Sequence, residues 1–420
     1  MPESPESVPR VTDFFLARQP ILDRAQSLIG YELLFRSAAS GPANVGDDLA
    51  ATAAVIAHLS ELGMQDVLGP ALGFVNVDST VLMSDFIHFL PAGKVVFEIL
   101  ETVHVTPDLV ERVTELVNAG FVFALDDVIA DSADVQQLLP LVSIIKIDLL
   151  GMEAATLVRL ARQFTQAGKK LLAEKVETQQ EFQACLELGF DYFQGYYFAR
   201  PSVLTGKKLL PSQLTIMQLM ALIMTDADTR DIEACIKPDV SLSLTLLRLV
   251  NTPAFGLPRR IDSLGQALVV LGRRQLQRWL QILLYAEPGR RSGFVSPLLV
   301  LAATRGKLLE LMAVRIHPEQ RHVADVAFTV GIMSLMDVLF GSPMASILQQ
   351  MPVADAVSDA LLERKGIYGD MLDLCEYLER IDESGPLLLP ALQRLNLSID
   401  ELYRLELSAF EWANAISGVV

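Results

Sequence analysis

The sequence of 420 residues predicts a TIM-like (β/α)8 barrel followed by an all-helical domain, α/β plus all-α. Three observations carry that prediction. Over residues 1–205, apolar runs of strand length alternate with amphipathic helical patterns, at intervals of roughly 25 residues. Nearly every run bears a polar or charged residue near its C-terminal end. Beyond residue 206 the strand runs fade, and helical periodicity continues to about residue 412.

FFLARQPI (Phe14–Ile21) and SLIGYELLFRS (Ser27–Ser37) read as two strands around a turn at Asp23–Arg24, a hairpin-like start. Helical spacing over Asp47–Leu62 leads to the strand LGFVNVD (Leu72–Asp78), and Ser79 is the expected N-cap of the next helix. KVVFEIL (Lys94–Leu100) is the fourth strand. The following helix has Thr106 as N-cap, Pro107 at its first position and Gly120 as its stop. FVFALDD (Phe121–Asp127) is an apolar run ending in two carboxylates, then come a short helix near Asp134–Leu141 and SIIKIDLL (Ser143–Leu150). A helix over Glu153–Gly168 feeds KKLLAEKVE (Lys169–Glu177), Thr178 caps another, and FDYFQGYYFARP (Phe190–Pro201) closes the series. An open doubly wound sheet is the structural alternative, but no glycine-rich dinucleotide loop follows the first strand. The length and the strand count favour the barrel.

In a barrel the C-terminal strand ends converge on one face. Glu32, Asn76, Glu98, Asp126, Asp127, Lys146, Asp148, Glu174, Glu177 and Gln194 would meet there. Any one of them alone is more simply a solvated strand end; seven strands in succession make coincidence a poor account. So many carboxylates repel unless cations join them, and an all-oxygen set points to Mg²⁺, Mn²⁺ or Ca²⁺ rather than zinc. Displacement at phosphorus is the chemistry such a site serves best.

Composition narrows the partners. Hydrophobic residues make up 51% of the chain, far from a disordered composition. The net charge of −17 is concentrated in residues 1–205, which hold 13 Lys and Arg against 27 Asp and Glu. That acidity argues against nucleic acid as a partner. No apolar run long enough to span a bilayer is expected. The opening MPESPESVPR lacks a basic n-region and an apolar h-region, so residues 1–12 read as a disordered tail rather than a secretory signal. Cys185, Cys235 and Cys375 are odd in number and widely spaced, which fits a reducing cytoplasm.

The first 205 residues resemble EAL domains, phosphodiesterases that cleave cyclic di-GMP to pGpG. QPI (Gln19–Ile21), ELLFR (Glu32–Arg36), FVNVD (Phe74–Asp78), FEILE (Phe97–Glu101), ALDD (Ala124–Asp127), IIKID (Ile144–Asp148), AEKVET (Ala173–Thr178) and FQGYYFARP (Phe193–Pro201) carry the resemblance. It implies that Glu32, Asn76, Glu98, Asp126 and Asp127 hold two metals, Mg²⁺ or Mn²⁺, and that Glu174 is the general base. Lys146 would orient the attacking water or stabilise charge. Gln19 and Arg36 would contact the dinucleotide, with Glu101, Asp148, Glu177 and Gln194 in support. Two departures are visible. A lysine, Lys175, follows Glu174 where the family has glycine, and DVIADSADV (Asp127–Val135) replaces DFGTGYSSL, putting Ile129 and Asp131 at glycine positions. Strain is expected at those two. The changed loop leaves three functions open: phosphodiesterase, cyclic di-GMP receptor without turnover, or signalling scaffold.

Residues 201–212 read as a short linker, which sets the domains at 13–205 and 206–412. The second resembles the HDOD domain through LPS (Leu210–Ser212), KPDVSLSLTLLRLVN (Lys237–Asn251) and PAFGLPRRIDSLGQALVVLG (Pro253–Gly272), which implies a regulatory or scaffolding role. It has no His-Asp pair, and its only histidines are His317 and His322, so metal hydrolysis is not expected there. Arg259, Arg260, Arg273, Arg274, Arg278, Arg290, Arg291, Arg305 and Lys307 face only Asp262 and Glu287 in the same stretch. That run is either a solvated helix face or a docking patch for an acidic partner, a separate protein or the chain's own barrel.

Overall fold

The computed structural model describes residues 14–37, 67–199, 211–251, 261, 263–285, 296–351 and 353–417. The expected tail at residues 1–12, the helix expected at residues 47–62 and most of the linker lie outside them. Eight strands form a closed barrel in sequence order: β1 (Phe14–Asp23), β2 (Leu28–Ser37), β3 (Leu72–Val77), β4 (Val95–Ile99), β5 (Val122–Leu125), β6 (Ile144–Asp148), β7 (Lys170–Glu174) and β8 (Tyr192–Gln194). β1 runs antiparallel to both β2 and β8, and the other neighbours are parallel. The two-residue alternation of a strand then sorts every side chain. Val75, Phe97, Phe123, Ile145, Leu171 and Phe193 point outward into the main core. Ile21, Phe74, Val96, Ala124, Ile144 and Leu172 fill the barrel interior. Gly30 makes that filling possible, because a Cβ there would lie 2.8 Å from the Phe74 ring.

Between the strands lie α1 (Ser79–Leu82), α2 (Pro107–Asn118), α3 (Ala133–Leu138), α4 (Ala154–Gln166) and α5 (Gln179–Glu187). Thr106 caps α2 with Pro107 in its first turn, and Gly120 follows in the left-handed region at φ +95°. Thr178 and Glu181 form a reciprocal capping box at α5. The N-cap of α1 is Asp78 rather than the expected Ser79: its carboxylate accepts from Val81 N at 2.8 Å, one residue earlier in the chain.

The described residues form two compact units. One holds the barrel together with Asp373–Ile416; the other holds the helices up to Leu372. The second unit contains α6 (Pro211–Met224), α7 (Thr229–Ile236), α8 (Val240–Val250), α9 (Leu264–Leu283), α10 (Pro297–Ile316), α11 (Arg321–Met333), α12 (Met336–Phe340), α13 (Met344–Gln350) and α14 (Asp355–Glu363). Residues 321–340, although interrupted by Asp325 and Asp337, have the length and hydropathy of a membrane span, but 72% of the most apolar window is buried in the protein. It is a core segment, and a turn at Ser334–Leu335 divides it.

α15 (Gly366–Glu379), α16 (Ile381–Leu395) and α17 (Ile399–Ser417) end the described chain. The sequence assigns them to the helical domain, yet from Asp373 onward they group with the barrel. Packing against the antiparallel β1–β2 pair is the reason. The guanidinium of Arg18 on β1 lies 4.4 Å from the Tyr31 ring centroid on β2 and 3.8 Å from that of Phe410 on α17. Arg18 also donates to Val67 O at 2.7 Å and attracts buried Glu406. Beyond β8, Tyr196 donates to Glu379, and Arg380 stacks over its ring at 4.7 Å.

Candidate active site

The inward-facing rule that fills the barrel floor also builds the site above it. Two residues beyond Gly30, Phe74, Val96, Ala124, Ile144, Leu172 and Tyr192 stand Glu32, Asn76, Glu98, Asp126, Lys146, Glu174 and Gln194. On antiparallel β1 the offset reverses, so Gln19 lies two residues before Ile21 and pairs in register with Glu32. One apolar layer and one polar layer therefore follow from strand parity.

Lys146 is the centre of the polar layer and is wholly buried. Its Nζ stands 2.7 Å from Glu98 Oε1, 2.7 Å from Asp126 Oδ1, 2.9 Å from Glu174 Oε1 and 3.6 Å from Glu32 Oε2. Asn76 Nδ2 donates to Glu32 Oε1 at 2.9 Å. Gln194 Nε2 donates to Glu32 Oε2 and, at 2.9 Å, to Gln19 Oε1. Gln194 thereby ties the last strand to the first two.

One ammonium does not balance four carboxylates. Burial, followed by the charge of Glu32, pushes the Glu98 carboxyl well above the usual range, and Lys146 only partly offsets it. Burial pushes Glu174 up to about 8, with Asp126 and Glu32 adding and Lys146 opposing. Asp126 is raised as well, chiefly by burial. Glu32 goes the other way: burial would raise it, but Lys146 and hydrogen bonds from Gln194, Asn76 and Glu98 together lower it. Lys146 is held well above its ordinary value, because the four acids outweigh its burial.

A second, outer group lies beside the first. Asp127 has φ +46° and Lys175 has φ +52°. Such left-handed torsions cost a non-glycine residue about 1–2 kcal/mol, and both residues directly follow site residues. Lys175 Nζ pairs with Asp148 Oδ2 at 2.5 Å, and Asp148 Oδ1 accepts from Leu150 N at 2.8 Å. Burial and then the charge of Asp148 raise the Asp127 carboxyl, Glu101 adds, and Lys175 opposes. Glu101 is exposed and Glu177 half-buried. Arg36 lies on β2, and its side chain is outside the described residues.

The strain expected at Ile129 and Asp131 is not found; neither has a positive φ. Val128 N donates to Lys146 O at 3.0 Å, Val128 packs in the outer core, and Ile129 points to solvent. Asp131 accepts from Gln136 and Gln163, and Ser132 caps α3. Residues 129–133 are all exposed. The left-handed torsion of Lys175 falls where the resemblance to the EAL segment sets a glycine, which was the sequence signal for it.

Divalent cations fit the donor chemistry of this cluster. Its acids outnumber its one ammonium, and Glu98 Oε2 and Glu174 Oε2 are buried with no hydrogen-bond donor among the described residues. The carboxylates close on Lys146, so no three acidic, His or Cys side chains among the described residues form a ready metal cage.

Residues 6–201 match the EAL domain and residues 210–286 the HDOD domain. A cyclic di-GMP phosphodiesterase, CdgJ of Vibrio cholerae, is 33% identical over 377 residues, spanning 88% of this chain and 86% of the relative. The chain belongs to the EAL–HDOD family. An uncharacterised Bacillus subtilis protein, YuxH, is 29% identical over 412 residues, covering 95% of this chain and 98% of its own length. Among solved structures, an EAL domain protein from Listeria monocytogenes aligns with 45% of this chain and 88% of its own at 21% identity and a TM-score of 0.36.

In the HDOD-containing unit, the described cations of the basic stretch are engaged internally. Arg273 pairs with Asp226 at 3.0 Å, Arg274 with Asp325 at 3.6 Å, Arg278 with Glu310 and Asp325, and Lys307 with Glu310 at 3.0 Å. Arg305 is buried and donates to Ser334 Oγ at 2.9 Å. Arg259, Arg260, Arg290 and Arg291 lie outside the described residues.

Proposed function

We propose that the EAL barrel hydrolyses cyclic di-GMP to pGpG with Mg²⁺ or Mn²⁺, and that the HDOD domain regulates it or binds a protein partner. The observation that carries this reading is the convergence of Glu32, Glu98, Asp126 and Glu174 on Lys146, four acids from four strands around one fixed cation. The name of the Vibrio cholerae relative supports the substrate. Glu32, Asn76, Glu98, Asp126 and Asp127 would hold the metals, which when bound supply positive charge to the reacting phosphate.

The chain's own residues divide the remaining work. Glu174, whose carboxyl is raised to about 8 by burial, would take the proton from the attacking water in its ionised form. Lys146 keeps its charge and offsets charge that develops on the phosphate oxygens. Gln194 and Asn76 fix both oxygens of Glu32, and Gln19, held by Gln194, would contact the dinucleotide. The free cysteines accord with action in the cytoplasm. The substituted loop after Asp127 favours a second reading, a receptor without turnover. Incubating the full chain with cyclic di-GMP and Mg²⁺ or Mn²⁺, and following pGpG, separates the two. Turnover abolished by Glu174→Gln is the expected result; calorimetric binding without product would leave the receptor.

A further inference from the structure

Lys175 is out of place by the standards of its own backbone. It is a long cation at φ +52°, where glycine would sit without strain. Its side chain is 55% exposed, so core packing does not account for its presence. What it does have is a set of acids around it. Its Nζ lies 2.5 Å from Asp148 at the end of β6. Asp127 after β5 and Glu174 at the end of β7 are within electrostatic reach, and the charge of Glu101 after β4 also reaches Asp127. Lys146 pairs with the inner acids, and among the described residues Lys175 is the cation that pairs with an acid of the outer group.

We propose that Lys175 is a resident counter-cation for the Asp127–Asp148 pair and that it weakens divalent-metal binding on the Asp127 side of the mouth. The inference rests on the reading of the cluster as a cation site. A positive charge beside Asp127 repels an incoming ion and competes for the same carboxylates. The protein then needs a higher free metal concentration to fill its outer position than a chain with glycine there. Lys175 is a positioning residue in this account and touches no reacting atom.

The test is a Mn²⁺ titration of the full-length chain at low salt, read from the paramagnetic resonance signal of the free ion. Wild type, Lys175→Gln and Lys175→Gly are compared. Both variants should raise the affinity of the weaker Mn²⁺ site by about tenfold, the scale of removing one charge a few ångströms away. Equal affinity in all three chains overturns the proposal. So does a gain in Lys175→Gly alone, because Gln keeps the strained torsion and only Gly relieves it. Binding abolished by Glu98→Gln but indifferent to Lys175 overturns this inference and leaves the cation reading standing. No Mn²⁺ binding by any chain overturns both.

Discussion

The guanidinium of Arg18 lies 3.8 Å from the ring centroid of Phe410, joining the first barrel strand to the last helix of the described chain. Arg18 and Tyr31 face outward, whereas their neighbours Gln19 and Glu32 face the site. Residues 373–416 thereby back the two strands whose inner faces carry one edge of the acidic cluster.

Phe410→Ala should therefore destabilise the barrel unit. Phe410 is 4% exposed, and truncating a buried phenylalanine costs about 3–5 kcal/mol, with the loss of a cation–π contact included. Urea unfolding measures it. Phe410→Leu should recover most of the loss, since it restores volume without the ring. A change below about 0.5 kcal/mol, the range of ordinary surface substitutions, would show that α17 does not brace the barrel.

Lys146→Met should be the most damaging change in the cluster. It leaves four acids gathered without their cation, and removing one partner from a buried ion network costs about 3–5 kcal/mol. Divalent cations should recover part of that loss if the acids bind them, so unfolding is compared in chelator and in Mn²⁺. Lys175→Gln, at an exposed ion pair, should change stability by about 1 kcal/mol or less.

Metal-free protein should lose stability as the pH rises from 5 to 8. The folded-state pKa of Glu174 is raised to about 8 from 4.5, and Glu98 and Asp126 are raised as well. The folded state thus binds more protons than the unfolded chain in this window, and stability falls with pH. Glu32, which is lowered, contributes stability that is lost only at acidic pH, and Lys146, which is raised, contributes stability that is lost only in strong alkali. Neither opposes the trend. The expected fall in Tm is on the order of 5 °C, measured by thermal unfolding in chelator. It should shrink in Glu174→Gln, which has no carboxyl to titrate.

Much of this site was legible because strand parity is a local property. Glu98 is inward because Val96 is, and Glu174 because Leu172 is, and both patterns can be read along the chain. The central position of Lys146 was not legible, because it depends on four separate strands closing into a ring. Backbone torsion was also misjudged. Ile129 and Asp131 have no positive φ, and the left-handed torsions fall instead at Asp127 and Lys175, each directly after an acid at the end of a strand. The pairing of Arg18 with Phe410 spans nearly the whole chain, beyond the reach of any periodicity.

Gly195→Ala tests whether barrel closure and site assembly are one event. Gly195 follows Gln194 with φ +145°, and a Cβ there would lie 2.1 Å from Val176 O and 2.4 Å from Val176 N. Both are backbone atoms in the loop after Glu174, and Val176 N donates to Gln194 O at 3.0 Å. The loops must separate to admit a methyl group. That motion carries Gln194 away from Glu32 and Gln19, breaking the contacts that join β8 to β1 and β2. The expected cost is about 3 kcal/mol or more, with weaker binding of Mn²⁺ and cyclic di-GMP in whatever protein remains folded. Gln194→Leu should reproduce the binding loss with a smaller stability loss, since it breaks the same contacts without forcing the backbone. If Gly195→Ala unfolds normally and binds normally, the close approach of the two loops does not hold the site together.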